Sequence, residues 1–135
     1  MNNTTNKKRI LVVDDEKDLV EEMKLNLEEN GFEVLTAYQG DEGLQVARRE
    51  RPDLILLDLM LPKIDGYRVC ALLKSDSRYA DIPIILFTAR AHEEDRKLGE
   101  EAGANAYLTK PYDSSVLLAK IRELIEKYGL KNFFI

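Results

Sequence analysis

Residues 54–66 read LILLDLMLPKIDG, and this stretch decides the fold class. It opens with an unbroken apolar run, Leu54 to Leu57, of the kind typical of strands buried on both faces of a parallel sheet. Asp58 follows that run directly. Pro62 and the Asp65-Gly66 pair then predict a loop. The stretch therefore combines a buried strand, a carboxylate at its end and a loop that leads towards a helix.

The same arrangement recurs on both sides of this stretch, because short apolar runs alternate with longer helical patterns along the whole chain. Five such units are predicted. The predicted strands are Ile10 to Val13, Phe32 to Ala37, Leu54 to Leu57, Pro83 to Phe87 and Ala106 to Leu108. The predicted helices are Glu16 to Asn30, Asp41 to Glu50, Tyr67 to Lys74, Glu93 to Ala102, and a last one capped by Asp113 or Ser114.

Glycine and proline mark where the predicted helices end. Gly31 is expected to stop the first helix as a left-handed cap, and Pro52 prevents the second from continuing. Gly129 is expected to close the last helix. We therefore predict a flexible segment at 1–8, one domain at 9–128 and a C-terminal tail at 129–135.

Repeated strand–helix units with right-handed crossovers require a parallel sheet with helices on both faces, and five units are too few for a closed eight-stranded barrel. The fold class is therefore α/β, an open doubly wound sheet. The second and fifth strands carry Glu33, Thr36 and Asn105 and should lie at the edges. The order 2-1-3-4-5 satisfies these constraints, and it locates the functional site at the carboxyl ends of the strands.

Composition narrows the function classes. A chain of 135 residues with 44% hydrophobic and 33% charged residues can build one core without disulfides, and its lone Cys70 suits a reducing cytoplasm. No apolar stretch reaches membrane-spanning length. The net charge of -5 disfavours binding of nucleic acid or of an anionic membrane by this chain alone.

Polar groups follow four of the five predicted strands: Asp14-Asp15, Asp58, Thr88 and Lys110. Each has an ordinary explanation when taken alone, such as helix capping by the Asp pair or a surface position for Lys110. Together they should meet at one edge of the sheet, where three carboxylates would repel one another unless a cation lay among them. Oxygen ligands favour Mg²⁺. With Lys110 as a second positive charge, the set forms a phosphoryl receptor in which Asp58 is the nucleophile.

Four motifs in this order and spacing resemble the receiver domain of two-component response regulators, the CheY-like superfamily. They are ILVVDDE (Ile10 to Glu16), LILLDLMLPKIDG (Leu54 to Gly66), IILFTAR (Ile84 to Arg90) and AYLTKPY (Ala106 to Tyr112). The resemblance covers nearly the whole chain. It implies a phosphorelay protein whose receiver fold matches the sheet order predicted above.

The resemblance also implies a role for each matching residue. Asp58 would accept phosphate, and Mg²⁺ would be held by Asp15, Asp58 and the backbone carbonyl of Met60, with Asp14 acting largely through water. Thr88 and Lys110 would bind the phosphoryl oxygens. A cis peptide would join Lys110 to Pro111, and Tyr107 would be the switch aromatic, although an amphipathic edge-strand tyrosine is equally ordinary at that position.

The implied partners are a histidine kinase or histidine phosphotransfer protein and an unidentified effector, with a phosphorylation-linked homodimer as a further option. Phosphorylation would draw Thr88 towards the new oxygens and let Tyr107 turn inward. The fourth helix should then repack, because Leu98 is its only large aliphatic residue and the helix can bury little apolar area. The output surface would be the fourth helix, fifth strand and fifth helix.

Two other functions are consistent with parts of the pattern. A flavodoxin-like electron carrier shares the sheet order, but Asp14-Asp15-Glu16 would repel a flavin phosphate. A pseudo-receiver that serves only as an interaction module is disfavoured by the intact Asp, Thr and Lys set. Met60 stands where an acid would promote hydrolysis in haloacid-dehalogenase phosphatases, so a switch is expected rather than a turnover enzyme. The segment from Leu130 to Ile135 could pack back, mediate pairing or begin a linker.

Overall fold

The computed structural model describes residues 7–89 and 92–133, with side chains described as far as residue 129. It contains five strands and five helices in strict alternation, as the apolar pattern predicts. The strands are β1 (Arg9–Val13), β2 (Glu33–Ala37), β3 (Leu54–Asp58), β4 (Ile84–Thr88) and β5 (Ala106–Thr109). The helices are α1 (Lys17–Glu29), α2 (Gly40–Glu50), α3 (Gly66–Lys74), α4 (Glu93–Glu101) and α5 (Ser114–Phe133).

The strands form one parallel sheet in the order β2-β1-β3-β4-β5, which confirms the predicted doubly wound topology. Every residue of β3 and β4 is buried, whereas β2 and β5 are only partly so. The prediction of which strands lie at the edges is therefore also confirmed. Strands β3 and β4 each extend one residue further than the apolar runs, so that Asp58 and Thr88 end the strands themselves.

Two hydrophobic clusters lie on opposite faces of the sheet. One packs α2 and α3 against alternate strand residues such as Leu11, Leu57 and Leu86. The other packs α1 and α5 against the intervening residues, among them Val12 and Leu56. Because side chains alternate along a strand, the apolar runs supply both clusters, and each fully buried leucine contributes roughly 2 kcal/mol.

Helix ends follow the predicted chemistry in part. Gly31 adopts a left-handed conformation with φ 92°, as expected after α1. The side chain of Asp65 accepts a hydrogen bond from the backbone N–H of Arg68 and caps α3. The end of α2 differs, because Arg51 itself is left-handed with φ 48°. Its guanidinium donates to the carbonyl of Arg78 and lies 5.3 Å from the ring of Tyr79, contacts that offset the cost of that conformation.

The prediction that Gly129 closes the last helix is wrong. Helix α5 continues to Phe133, and Gly129 lies within it. Gly129 is not among the residues with positive φ, so it provides no left-handed cap. A glycine in an exposed helix interior costs about 1 kcal/mol relative to alanine, which is too little to end a helix with favourable residues on both sides. The segment at 1–6 and residues 134–135 lie outside the described residues.

Helix α4 has the weakest apolar contact with the rest of the domain, as its sequence predicts. Its buried residues are Asp95 and Gly99, and Leu98 is half exposed. Gly99 packs closely, since a Cβ there would lie 3.1 Å from Leu86 and 3.3 Å from the ring of Tyr107. Within the described ranges, no helix has the length and apolar character needed to span a bilayer.

Gly66 is expected to be essential for the junction of β3 and α3. A Cβ at this position would lie 2.3 Å from the carbonyl oxygen of Asp58 and 2.8 Å from Cα of Leu59. We predict that Gly66→Ala lowers the free energy of unfolding by about 3 kcal/mol, because backbone atoms cannot move aside cheaply. Urea unfolding measures the change. Gly129→Ala is the control and should stabilise by about 1 kcal/mol, because a Cβ at that exposed helical position meets nothing within 4 Å. Equal stabilities for Gly66→Ala and the unmodified protein would contradict the close approach.

Candidate functional site

The polar residues predicted to converge do lie at one edge of the sheet. Asp58 and Thr88 end the adjacent strands β3 and β4, which pair in parallel. Asp14 directly follows β1, and its backbone N–H donates to the carbonyl of Ala37 at the end of β2. Lys110 follows β5, and its backbone N–H donates to the carbonyl of Thr88. Parallel strands thus bring groups that are far apart in sequence to one place.

Lys110 is the cation of this edge. Its Nζ lies 2.9 Å from Oδ2 of Asp14, 3.2 Å from Oε1 of Glu16 and 3.9 Å from Oδ1 of Asp58. The same Nζ lies 5.0 Å from the centroid of the Phe87 ring. Its side chain is 17% exposed, so Lys110 lies mostly buried at this edge and does not extend into solvent.

The carboxylates of Asp14, Asp15 and Asp58 form a compact group, with one oxygen from each lying within 4.8 Å of the others. Two of them are buried, Asp14 at 0% and Asp58 at 4% exposure. Carboxylates this close repel by roughly 3–4 kcal/mol per pair at an effective dielectric constant of about 20. The ammonium of Lys110 faces Asp14, Asp58 and Glu16, so one positive charge opposes three carboxylates.

This donor set fits a hard divalent cation. Asp14 uses both oxygens internally, since Oδ1 accepts from the backbone N–H of Glu16 and Oδ2 accepts from Lys110. Asp15 is exposed, and Oδ1 of Asp58 accepts one hydrogen bond, from the backbone N–H of Met60 at 3.3 Å, so each residue retains an oxygen lone pair able to bind a metal. No softer His or Cys ligand joins the group within the described ranges.

Burial controls the electrostatics of the two inner carboxylates. Burial, and next the neighbouring charge of Asp14, raises the pKa of Asp58 to about 6. Burial also raises the pKa of Asp14, against the opposing hydrogen bonds from Glu16 and Lys110. For Lys110, burial acts to lower the pKa, but the hydrogen bond to Asp14 and the charge of Asp58 outweigh it and raise the pKa overall. A buried carboxylate with an elevated pKa beside an ammonium is typical of reactive sites.

Thr88 and Tyr107 lie on the neighbouring strands β4 and β5. Thr88 is fully buried at the end of β4, and its register partner on β5 is Thr109. Tyr107 is partly buried against the cluster formed by α2 and α3, and its ring lies against Gly99. The peptide between Lys110 and Pro111 is cis, as expected.

A groove of about 700 Å³ opens beside the acidic group. Its walls come from α1 and from the segment between β5 and α5, and it reaches both Lys110 and Ala89. Tyr112 forms part of the wall and packs edge-on against Phe87, with ring centroids 6.4 Å apart. The groove therefore lies next to Lys110, on the side of the site formed by α1 and the segment after β5.

Sequence reasoning missed two residues of the site, and it assigned no role there to Cys70 or His92. Glu16 was treated only as a helix start and as part of a repulsive triplet, yet it pairs with Lys110. Gly66 was treated as a loop residue, yet it packs on the backbone of Asp58. Cys70 is fully buried in a hydrophobic cluster, and burial raises the pKa of its thiol to about 11. His92 precedes α4 without capping it through its side chain.

Comparison with known proteins identifies the family. Residues 10–122 match the response regulator receiver domain. The chain belongs to this family. Among solved structures it is similar to a CheY-like response regulator receiver domain protein from Methanospirillum hungatei JF-1, with 32% identity and a TM-score of 0.86 over 93% of this chain and 99% of that one. It also resembles the receiver domain of a signal transduction histidine kinase from Syntrophus aciditrophicus, with 33% identity and a TM-score of 0.84 over 89% and 91% of the two chains.

Curated relatives are longer transcriptional regulators. The chain is 44% identical over 88% of its length to the DNA-binding dual master transcriptional regulator RpaA of Synechocystis, of which it covers 49%. It is 43% identical over 89% of its length to the alkaline phosphatase synthesis transcriptional regulatory protein PhoP of Bacillus subtilis, again covering 49%. The receiver domain therefore spans about half the length of the curated relatives that it matches. Membership of this family excludes the flavodoxin-like electron carrier.

The raised pKa of Asp58 predicts how stability depends on pH. The stability that protonated Asp58 contributes is fully present below pH 3.8 and is lost as pH rises through about 6. Without Mg²⁺ at pH 7.5, Asp58→Asn should therefore raise the free energy of unfolding by roughly 1–3 kcal/mol, and this gain should disappear near pH 4. Urea unfolding in EDTA at both pH values measures it.

Asp76→Asn is the matched control for that prediction. Hydrogen bonds from Arg78 lower the pKa of Asp76 to about 2, so replacing this carboxylate should not stabilise the protein at any pH. Adding Mg²⁺ to the unmodified protein should reduce the difference between its free energy of unfolding and that of Asp58→Asn. If Asp58→Asn were less stable than the unmodified protein at pH 7.5 in EDTA, the electrostatic account of the site would be wrong.

Proposed function

We propose that this receiver domain is a switch in a two-component phosphorelay, and that Asp58 is its phosphoryl acceptor. The observation that carries the proposal is the environment of one carboxylate. Asp58 is almost fully buried, lies within 4.8 Å of two further carboxylates and faces Nζ of Lys110 at 3.9 Å. Its Oδ1 accepts from the backbone N–H of Met60, which leaves Oδ2 as the nucleophilic oxygen.

The transfer step is a displacement at phosphorus. A lone pair on an Asp58 oxygen forms the O–P bond while the N–P bond of a phosphohistidine donor breaks, and the released electron pair stays on the imidazole nitrogen. Lys110 offsets charge on the phosphoryl oxygens, and the hydroxyl of Thr88 donates a hydrogen bond to one of them. These two residues position the group and neutralise it, which is most of what this chemistry requires.

Mg²⁺ is the cofactor that the donor set favours. Asp15, Asp58 and the backbone carbonyl of Met60 would hold it, and Asp14 would act through water because both of its oxygens already have partners. When bound, Mg²⁺ supplies positive charge that lets the carboxylates and the incoming phosphoryl group share one site.

We propose a histidine kinase or a histidine phosphotransfer protein as the donor. The groove beside Lys110 and Ala89 supports this proposal, because it offers a donor protein a concave surface next to the lysine that faces Asp58. A reducing compartment such as the cytoplasm suits the buried, unpaired Cys70.

The phosphorylated domain would signal through α4, β5 and α5. Attraction of Thr88 towards the phosphoryl group would let Tyr107 move inward. Helix α4 would then shift, because few of its residues are buried against the domain. An effector protein, or a second copy of the chain in a phosphorylation-linked homodimer, would read this surface.

Slow loss of the phosphoryl group is expected, which makes the domain a switch rather than an enzyme that turns over. Hydrolysis needs a positioned acid or base near the attacking water. Met60, two residues beyond Asp58, is half exposed and cannot fill that role. Rapid multiple turnovers with a simple phosphate ester would contradict this part of the proposal.

Intact-mass analysis tests the acceptor directly. After incubation with acetyl phosphate or phosphoramidate and Mg²⁺, the protein should gain the mass of one phosphoryl group. The adduct should be absent from Asp58→Asn and from samples with chelator, because one lacks the nucleophile and the other lacks the cation. Asp53→Asn, which changes an aspartate at the opposite end of β3, is the matched control and should label normally.

The outcomes separate the candidate functions. No adduct on the unmodified protein under any donor would favour the pseudo-receiver, an interaction module without phosphoryl chemistry. An adduct that persists in Asp58→Asn would move the acceptor to another residue and overturn the assignment.

A further inference from the structure

Helix α4 buries few side chains, and one of them is a carboxylate in its first turn. Of its residues, Asp95 is 7% exposed although it carries a carboxylate, whereas Leu98 is 48% exposed. A buried polar group is costly unless it is hydrogen-bonded, so the partners of Asp95 bear directly on where α4 lies.

Tyr67 on α3 supplies such a partner. Its hydroxyl oxygen lies 2.8 Å from the backbone carbonyl oxygen of Asp95 and 3.2 Å from Oδ1 of the same residue. A tyrosine hydroxyl has one proton, which these two acceptors share. The ring of Tyr67 packs against the hydrophobic cluster beneath α3, so the hydroxyl is presented from a fixed base.

That base is connected to the backbone of Asp58. Tyr67 immediately follows Gly66, whose backbone N–H donates to the carbonyl of Leu59 at 3.0 Å. Gly66 also lies so close to Asp58 that a Cβ would be 2.3 Å from the carbonyl oxygen of Asp58. A displacement of the Asp58 backbone is therefore transmitted to the first turn of α3, and from there to the hydroxyl that holds α4.

We propose that Tyr67 is a positioning residue for the phosphorylation response, and that its hydroxyl holds α4 in the unphosphorylated arrangement through Asp95. This inference rests on the proposed function of Asp58. Hydrogen bonds weaken steeply beyond about 3.2 Å, so a shift of α4 by roughly 1 Å breaks the contact. The bond therefore stabilises one placement of the helix over the other, which is the requirement for biasing a two-state equilibrium.

The contact differs from the one made by Tyr107. Tyr107 lies on β5 and touches α4 through its ring at Gly99, in the last turn of the helix. Tyr67 reaches the first turn from α3 through a hydroxyl. Helix α4 is thus held at two points by two tyrosines, and removal of one hydroxyl can be tested without changing the other contact.

The test is Tyr67→Phe, which keeps the ring and removes only the hydroxyl. Affinity for beryllofluoride in the presence of Mg²⁺, a mimic of the phosphorylated state, is measured by calorimetry on the full chain. Loss of one net hydrogen bond from the unphosphorylated state should tighten apparent binding by up to about fivefold. Amide exchange without ligand should become faster in α4 and stay unchanged in β1, β3 and β4.

Two further variants separate positioning from general stability. Tyr79→Phe removes a hydroxyl that lies 3.5 Å from the carbonyl of Arg48, away from α4, and should leave beryllofluoride affinity unchanged. Asp95→Asn keeps the backbone carbonyl and an oxygen acceptor in the side chain, so the Tyr67 hydroxyl retains both of its acceptors. The beryllofluoride affinity of Asp95→Asn should therefore stay within twofold of that of the unmodified protein.

Each result has one meaning. Tighter binding by Tyr67→Phe, with faster exchange confined to α4, supports the proposal. Unchanged affinity, or weaker affinity with faster exchange throughout the sheet, overturns it because Tyr67 would then serve only stability. Failure of the unmodified protein to bind beryllofluoride would instead refute the role of Asp58. In that case, unchanged amide exchange of α4 in Tyr67→Phe would still contradict the proposal that the Tyr67 hydroxyl holds α4.

Discussion

The ion pair between Lys110 and Asp14 is the interaction on which the arrangement of the site depends. It joins residues that are 96 positions apart in the sequence, with Lys110 Nζ 2.9 Å from Oδ2 of Asp14 and Asp14 fully buried. Removing one partner of such a pair leaves a buried charge uncompensated, at a cost of about 3–5 kcal/mol. The parallel sheet makes the pair possible, because it brings the carboxyl ends of β1 and β5 to one edge. The sheet topology therefore determines which charged groups meet at the site.

The sequence was sufficient to predict the sheet order and most of the site because both follow from strong local patterns. The unbroken apolar runs around Leu56 and Ile85 can be buried only by helices on both faces, which leaves few topologies. Polar residues that directly follow those runs, such as Asp58 and Lys110, must then share an edge. The resemblance to receiver domains added the roles of individual residues, and the family match supports that resemblance.

What escaped prediction depends on tertiary contacts that have no local signal. Arg51 adopts a left-handed conformation because Tyr79 and the carbonyl of Arg78 hold its guanidinium, and the residue type gives no indication of this. Gly129 continues α5 because glycine is a weak helix terminator when no left-handed turn follows. The bond between Tyr67 and Asp95 joins two helices whose relative placement no periodicity reveals.

The sharing of one ammonium among Asp14, Glu16 and Asp58 has a consequence for how strongly the domain can hold a modification. A phosphoryl group on Asp58 would approach a Lys110 ammonium that already has ion-pair partners. Its net attraction to Lys110 is therefore the energy of the new contact minus the energy of the ion pairs that it replaces. This competition makes the free energies of the modified and unmodified forms more similar than they would be if Lys110 made no ion pairs in the unmodified form. A signalling protein benefits from this near balance, because a modest input then suffices to reverse its state.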